Sequence, residues 1–177
     1  MQNRYVGDVG DFVKLAILRA LVSEDGDRKL GIAWWLFPDE SHNADGKHRA
    51  YLDQPGKWKL FDPVVFEALD QIRSREPLNV VAIEEACLFR DAIYAGNLVP
   101  GGEHPISSRS EKRAQWFQDV EEKLRPCNVV FLDPDNGIAS PGWKVTQKRA
   151  GKSVTFDDLK RLRRAVCACA LASIFRT

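Results

Sequence analysis

The sequence predicts an α/β fold, three layers built around a mostly parallel sheet, as a single domain over residues 1–177. Three observations predict it. Val129-Val130-Phe131-Leu132 and Leu30 to Phe37 are continuous apolar runs rather than alternating ones, the pattern of strands buried on both faces. Each runs straight into an acidic, proline-bearing turn, Asp133-Pro134-Asp135 and Pro38-Asp39-Glu40. Between and around them lie segments with helical spacing of apolar residues, the alternation expected of strand–helix–strand units.

The composition sets bounds. A chain of 177 residues is long enough to bury a real core, and 44% hydrophobic with 29% charged residues is ordinary for a soluble globular protein. A net charge of +1 creates no global field that demands nucleic acid, although a local basic face stays open. Cys87, Cys127, Cys167 and Cys169 have neither paired metal-ligand spacing nor the look of a disulfide framework, so reduced thiols and a cytoplasmic location are expected. The longest apolar run, Ala165 to Ile174, is too short to span a bilayer, and no apolar signal region follows Met1 to Tyr5; no membrane partner is expected.

Taken in order, Phe12, Leu15, Leu18 and Leu21 fall at helical spacing, with Asp11 expected to cap a helix over 12–22. The Gly7-Asp8 and Gly10-Asp11 pairs read alone as turn and cap; read functionally they bring backbone close to a ligand, with Lys14 one turn into the helix on the same side. Leu30 to Phe37 is the first central strand, its adjacent tryptophans directed to opposite faces. The polar loop that follows, carrying Asp39, His42, Asp45, Gly46 and His48, is long for a plain connection and matches no zinc spacing. Asp62 caps and Pro63 starts a helix to Ser74. Leu78 to Ile83 reads as a second strand ending at Glu84, where an acid either holds a ribose diol or merely marks the strand end.

Cys87 to Ala95 reads as a short helix, and Ser110 to Leu124 as a longer one. Arg109, Lys112 and Arg113 near the start of the latter form a basic patch, read mainly as a solvated face and otherwise as a phosphate contact. In the strand over 129–132, Gly137 and Pro134 force a stop at Asp133, so Asp133, Pro134, Asp135 and Asn136 lie at the carboxyl end of a central strand, where open α/β sheets bind ligands. Gln147 to Lys152 is a basic loop. Asp157 or Asp158 caps a last helix, and Ala165 to Phe175 either extends it or forms one strand. With so little chain after Gly137, the central strand is expected to lack neighbours on one edge, giving either a truncated protein that is marginally stable or self-associating, or a homodimer that covers this edge.

These motifs resemble the SAM-dependent methyltransferase superfamily, and more specifically the RlmJ-like methyltransferases that modify an adenine amino group in large-subunit ribosomal RNA. Residues 7–21 resemble that family's opening segment, and Lys14 falls on its lysine. Trp34 to Gly46 lies where the cofactor-binding strand and glycine-rich loop belong, Glu84 on the ribose-binding acid, and Asp133-Pro134 on the first half of the catalytic Asp-Pro-Pro-aromatic motif. The resemblance implies a Rossmann-like (class I methyltransferase-like) fold shortened at its C-terminus. It implies S-adenosylmethionine (SAM) as cofactor, RNA or DNA as partner, Asp133, Pro134, Asp135 and Asn136 as catalytic residues, and Lys14, Asp39, Asp45, Gly46 and Glu84 around the cofactor. Two positions depart from the pattern: the cofactor loop has a single glycine, Gly46, and Asn136 replaces the aromatic that stacks on a flipped base.

Two other classes compete. The acids at strand ends, Asp39, Asp45, Glu84, Asp133 and Asp135, would suit a Mg²⁺-dependent phosphoesterase or nuclease. A non-catalytic interaction module on the same fold is the third.

Overall fold

A computed structural model describes residues 1–22, 28–40, 48–75 and 77–166, and the backbone of 169–172. In chain order its elements are α1 (Val9–Val22), β1 (Leu30–Ala33), α2 (Pro55–Trp58), α3 (Pro63–Ile72), α4 (Val81–Glu85), β2 (Ile93–Ala95), α5 (Ile106–Leu124), β3 (Val129–Leu132), α6 (Phe156–Val166) and β4 (Cys169–Ala172). They fall into two compact units: a sheet unit of Met1, 28–37 and 91–176, and a helical unit of 2–27 and 38–90. The protein is thus mixed α/β with a small parallel sheet. No helix among the described residues is long and apolar enough to cross a membrane.

In the sheet unit the strand order is β2-β1-β3-β4, every pair parallel. Parallel neighbours need crossovers; α5 makes the one from β2 to β3 and α6 the one from β3 to β4. Side chains alternate across the strands. Ala33, Val130 and Leu132 face α5 and α6, meeting Phe117, Val120, Leu124, Leu162 and Val166 in one buried cluster. Gly31 lies on that same face for a steric reason: a Cβ there would sit 2.9 Å from both Cys127 Sγ and Leu124 Cδ2. Leu30, Ile32 and Phe131 occupy the opposite face and are also buried, which is why the runs carry no polar alternation.

The first strand is shorter than its apolar run. Trp35 has φ +50, a left-handed conformation that a bulky residue adopts only when its surroundings impose it. Pairing stops there and resumes as a single bridge between Leu36 and Leu98. The two tryptophans do part company: Trp34 stacks on Tyr94, with ring centroids 6.1 Å apart, and Trp35 meets Trp116 edge-on at 4.8 Å.

Three further expectations are corrected. The strand expected over 78–83 is absent; α4 stands there. Asn79 drives this, since its side chain accepts Val81 N–H at 2.6 Å while Asn3 Oδ1 accepts Val80 N–H, turning the backbone into helical bonds such as Ile83 N–H to Val80 O. The segment expected as a short helix, Cys87 to Ala95, instead ends in β2, the second strand of the sheet. Finally, β4 pairs in parallel with β3, so the central strand has neighbours on both sides and the edge passes to β4. Within the apolar tail Cys169–Ala172 therefore forms a strand, and the argument for a dimer from an uncovered β3 edge falls away.

The caps show how local chemistry sets the helices. Asp62 Oδ1 accepts Val64 and Val65 N–H with Pro63 at the first helical position, as expected. Asp8 rather than Asp11 caps α1, accepting Asp11 N–H at 3.0 Å. For α6 the cap is Thr155, not an aspartate: Thr155 Oγ1 accepts Asp158 N–H and Asp158 Oδ2 accepts Thr155 N–H, a reciprocal capping box. In the helical unit Phe12, Leu15 and Leu18 of α1 are buried, as are Val65, Phe66, Leu69 and Ile72 of α3, and Phe12, Tyr51, Trp58 and Phe66 form an aromatic cluster.

Candidate functional site

In the order β2-β1-β3-β4 the chain first steps from β1 to one side and then returns to the other, so the carboxyl ends of β1 and β3 flank a topological switch point, the place where such sheets hold ligands. Asp133, Pro134, Asp135 and Asn136 leave β3 there. Asp133 N–H bonds Ala33 O at 3.0 Å, fixing the exit of β3 against the end of β1, and Asp133 is 3% exposed. Gly137, at φ +65, closes the turn by donating to Pro134 O, a conformation that explains glycine at this point.

The carboxyl ends of β1 and β3 present acceptors to the Met1 nitrogen. The Met1 nitrogen donates to Asp133 O at 2.7 Å and Trp35 O at 3.2 Å, and lies 2.9 Å from Asp135 Oδ1. Asp135 Oδ2 faces Lys152 Nζ at 3.3 Å, and Lys152 in turn lies over the Phe37 ring. The backbone holds Lys152 in place: Asn136 N–H bonds Lys152 O, and Gly137 and Ala139 pair with Val154. Asn136 is exposed beside this buried pair. Lys152 was legible only as part of a basic loop; no spacing in the sequence links it to Asp135.

The other expected site residues belong to the helical unit, where Asp39 and Lys14 bond residues of its opening segment. Arg4 N–H donates to Asp39 Oδ1 at 3.2 Å. Lys14 pairs with Asp11 at 2.9 Å, and Asp11 also accepts Gly7 N–H. Glu84 is half-buried on α4, whose leading residue Val80 is bonded to Asn3. Glu84 therefore does not terminate a strand; the second strand in chain order is β2, followed by Gly96-Asn97. Asp45 and Gly46 lie outside the described residues, as does His42. Tyr51, which the sequence did not single out, donates to Gly7 O at 3.2 Å, and burial, followed by the Asp11 and Asp8 charges, pushes its phenol well above the ordinary tyrosine range.

Of the basic patch at the start of α5, Lys112 is exposed as a solvated face requires, but the two arginines are buried. Arg109 is 7% exposed and donates to the carbonyls of His104, Gly102 and Thr146. Arg113, 5% exposed, bonds Asp158 at 2.6 Å amid the rings of Trp35, Trp116 and Trp143. Burial pulls the Arg113 guanidinium below its ordinary value against the opposing effect of Asp158.

Among the described residues no three His, Cys, Asp or Glu side chains come together to hold a metal ion, so the Mg²⁺ reading has no assembled site there. Nor do those residues form a glycine cradle for SAM after β1: Trp34, Trp35, Leu36 and Phe37 follow it, all buried, while Lys14 and Asp39 are engaged by Asp11 and Arg4. No family model, no curated protein and no solved structure matches this chain.

Proposed function

We propose that this chain is a methyltransferase-like protein of the three-layer, Rossmann-like kind, in which residues 133–136 position an amino group of a nucleic acid. The observation that carries the reading is the seating of the Met1 nitrogen by Asp133 O, Trp35 O and the Asp135 carboxylate. That nitrogen stands in for a substrate amino nitrogen, which also brings only N–H donors and needs acceptors arranged around it. A substrate amino group would take its place. The switch-point position of the segment supports the same reading.

Asn136, exposed where the resembling family has a ring, offers an amide donor and acceptor for a base edge in place of stacking. The cofactor, SAM, and the roles of Lys14, Asp39, Asp45, Gly46 and Glu84 rest on the resemblance alone.

Calorimetry with SAM and S-adenosylhomocysteine tests the reading. Binding is expected. Asp133→Ala is expected to abolish turnover and leave cofactor affinity nearly intact. Mg²⁺ binding without SAM binding would replace this reading with a phosphoesterase, and binding of neither would leave a non-catalytic module.

A further inference from the structure

We infer that the loop over 143–152 is a phosphate-binding face for a nucleic acid strand, set beside the Asp133–Asn136 segment. The inference rests on the nucleic-acid half of the reading above and names the surface that would serve it. Between Asp135 and Asp157 the chain has no acid, yet it carries Lys144, Lys148, Arg149 and Lys152. In a chain whose net charge is only +1, that is a local asymmetry and not a reflection of overall composition. Lys144, Lys148 and Arg149 are exposed, while Lys152, at the far end of the same loop, is buried against Asp135.

The loop is held at several points rather than left as a solvated tether. Trp143 Nε1 donates to Ala150 O, and Arg109 donates to Thr146 O. A Cβ on Gly102 would lie 3.3 Å from Lys148 Cβ, and one on Gly151 would lie 3.1 Å from Val99 Cγ1 and 3.2 Å from Phe37 Cδ2, so bare glycines let the loop settle onto the segments that follow β2 and β1. Charges on a pre-ordered loop lose less conformational freedom when they bind. The bond from Asn136 N–H to Lys152 O then ties the charged loop to the candidate site, so a strand tracked by Lys144 and Lys148 passes next to the amine seat.

The test is fluorescence anisotropy of a labelled single-stranded RNA of about 20 nucleotides, with a DNA of the same sequence, titrated at several salt concentrations. Wild type is expected to bind with affinity that falls as salt rises. Lys144→Ala combined with Lys148→Ala is expected to lower affinity by roughly tenfold or more and to flatten the log–log salt slope by about 1.4, two contacts at about 0.7 each on a single strand. Lys123→Ala, on the exposed face of α5, is expected to change neither. Photo-cross-linking with peptide mapping is expected to place RNA within 143–152. Equal binding by wild type and the double variant, no binding by wild type, a cross-link confined to other segments, or capture by anionic phospholipid vesicles in preference to RNA would overturn the inference. SAM calorimetry is independent: loss of SAM binding with RNA binding intact sinks the methyltransferase reading and leaves this surface standing.

Discussion

Asp135 and Lys152 face each other at 3.3 Å with side chains only 5% and 8% exposed, and the Met1 nitrogen lies 2.9 Å from the other carboxylate oxygen. One buried anion is thus shared by two cations. Breaking such a set by removing its common partner leaves charge uncompensated in a low-dielectric site, whereas removing one of the two cations does not. Asp135→Ala is therefore expected to destabilise the protein by about 3–5 kcal/mol and Lys152→Met by clearly less, read from urea unfolding midpoints. Equal losses would show that the two cations do not depend on Asp135.

Gly31 makes a steric prediction. A methyl added in β1 would stand 2.9 Å from Cys127 Sγ and Leu124 Cδ2, closer than real Cβ contacts come. Because both neighbours belong to a packed, buried cluster, Gly31→Ala is expected to destabilise by about 1–3 kcal/mol, the usual effect of overpacking. A double variant with Leu124→Ala is expected to recover part of the loss due to overpacking, detectable as non-additivity in a thermal unfolding cycle.

Arg113 and Asp158 tie α5 to α6 from inside the core, and their roles are unequal. Asp158 both neutralises Arg113 and completes the capping box with Thr155. Asp158→Ala is expected to cost about 3–5 kcal/mol, since it leaves a guanidinium buried among three tryptophans and removes half of a cap. Arg113→Met, which keeps the stem volume and the cap, is expected to cost less. The reverse order in denaturant midpoints would contradict this account.

What was legible in the sequence follows from how local each signal is. The runs over 30–33 and 129–132 announced buried strands because every residue in them is apolar, and Asp62-Pro63 announced a helix start because both residues act on their own backbone. Leu78 to Ile83 misled because its apolar run fits strand and helix alike, and Asn79, a residue whose side chain competes for backbone N–H groups, decided for the helix. In the site, Asp133 to Asn136 declared itself at the end of a strand. Lys152 and Tyr51 did not, since each gains its role from a partner distant in sequence: Asp135 for one and Gly7 for the other. Arg109 and Arg113 were misjudged for a related reason. Charged residues are ordinarily exposed, and only the carbonyls and the carboxylate brought by other segments allow these two to be buried.

Tyr51 carries a pH prediction. Its phenol is buried, donates to Gly7 O and faces the Asp11 and Asp8 charges, so its folded pKa lies above the ordinary value of about 10. The sign follows from proton binding. Above about pH 10 the unfolded chain releases the phenolic proton while the folded chain keeps it, which favours the unfolded state. The contribution is therefore fully present below about pH 10 and is lost as pH rises toward the folded pKa, with a slope of about 1.4 kcal/mol per pH unit for one group. Tyr51→Phe removes the titrating group and also the bond to Gly7 O, so it is expected to be less stable than wild type at neutral pH by about 0.5–1.5 kcal/mol. That gap is expected to narrow between about pH 10 and pH 11, because only wild type has a phenol left to lose. Urea unfolding of both proteins across this range checks it, with lysine titration common to the pair cancelling in the difference. A gap that stays constant through the alkaline range would show that Tyr51 ionises as readily in the folded chain as in the unfolded one.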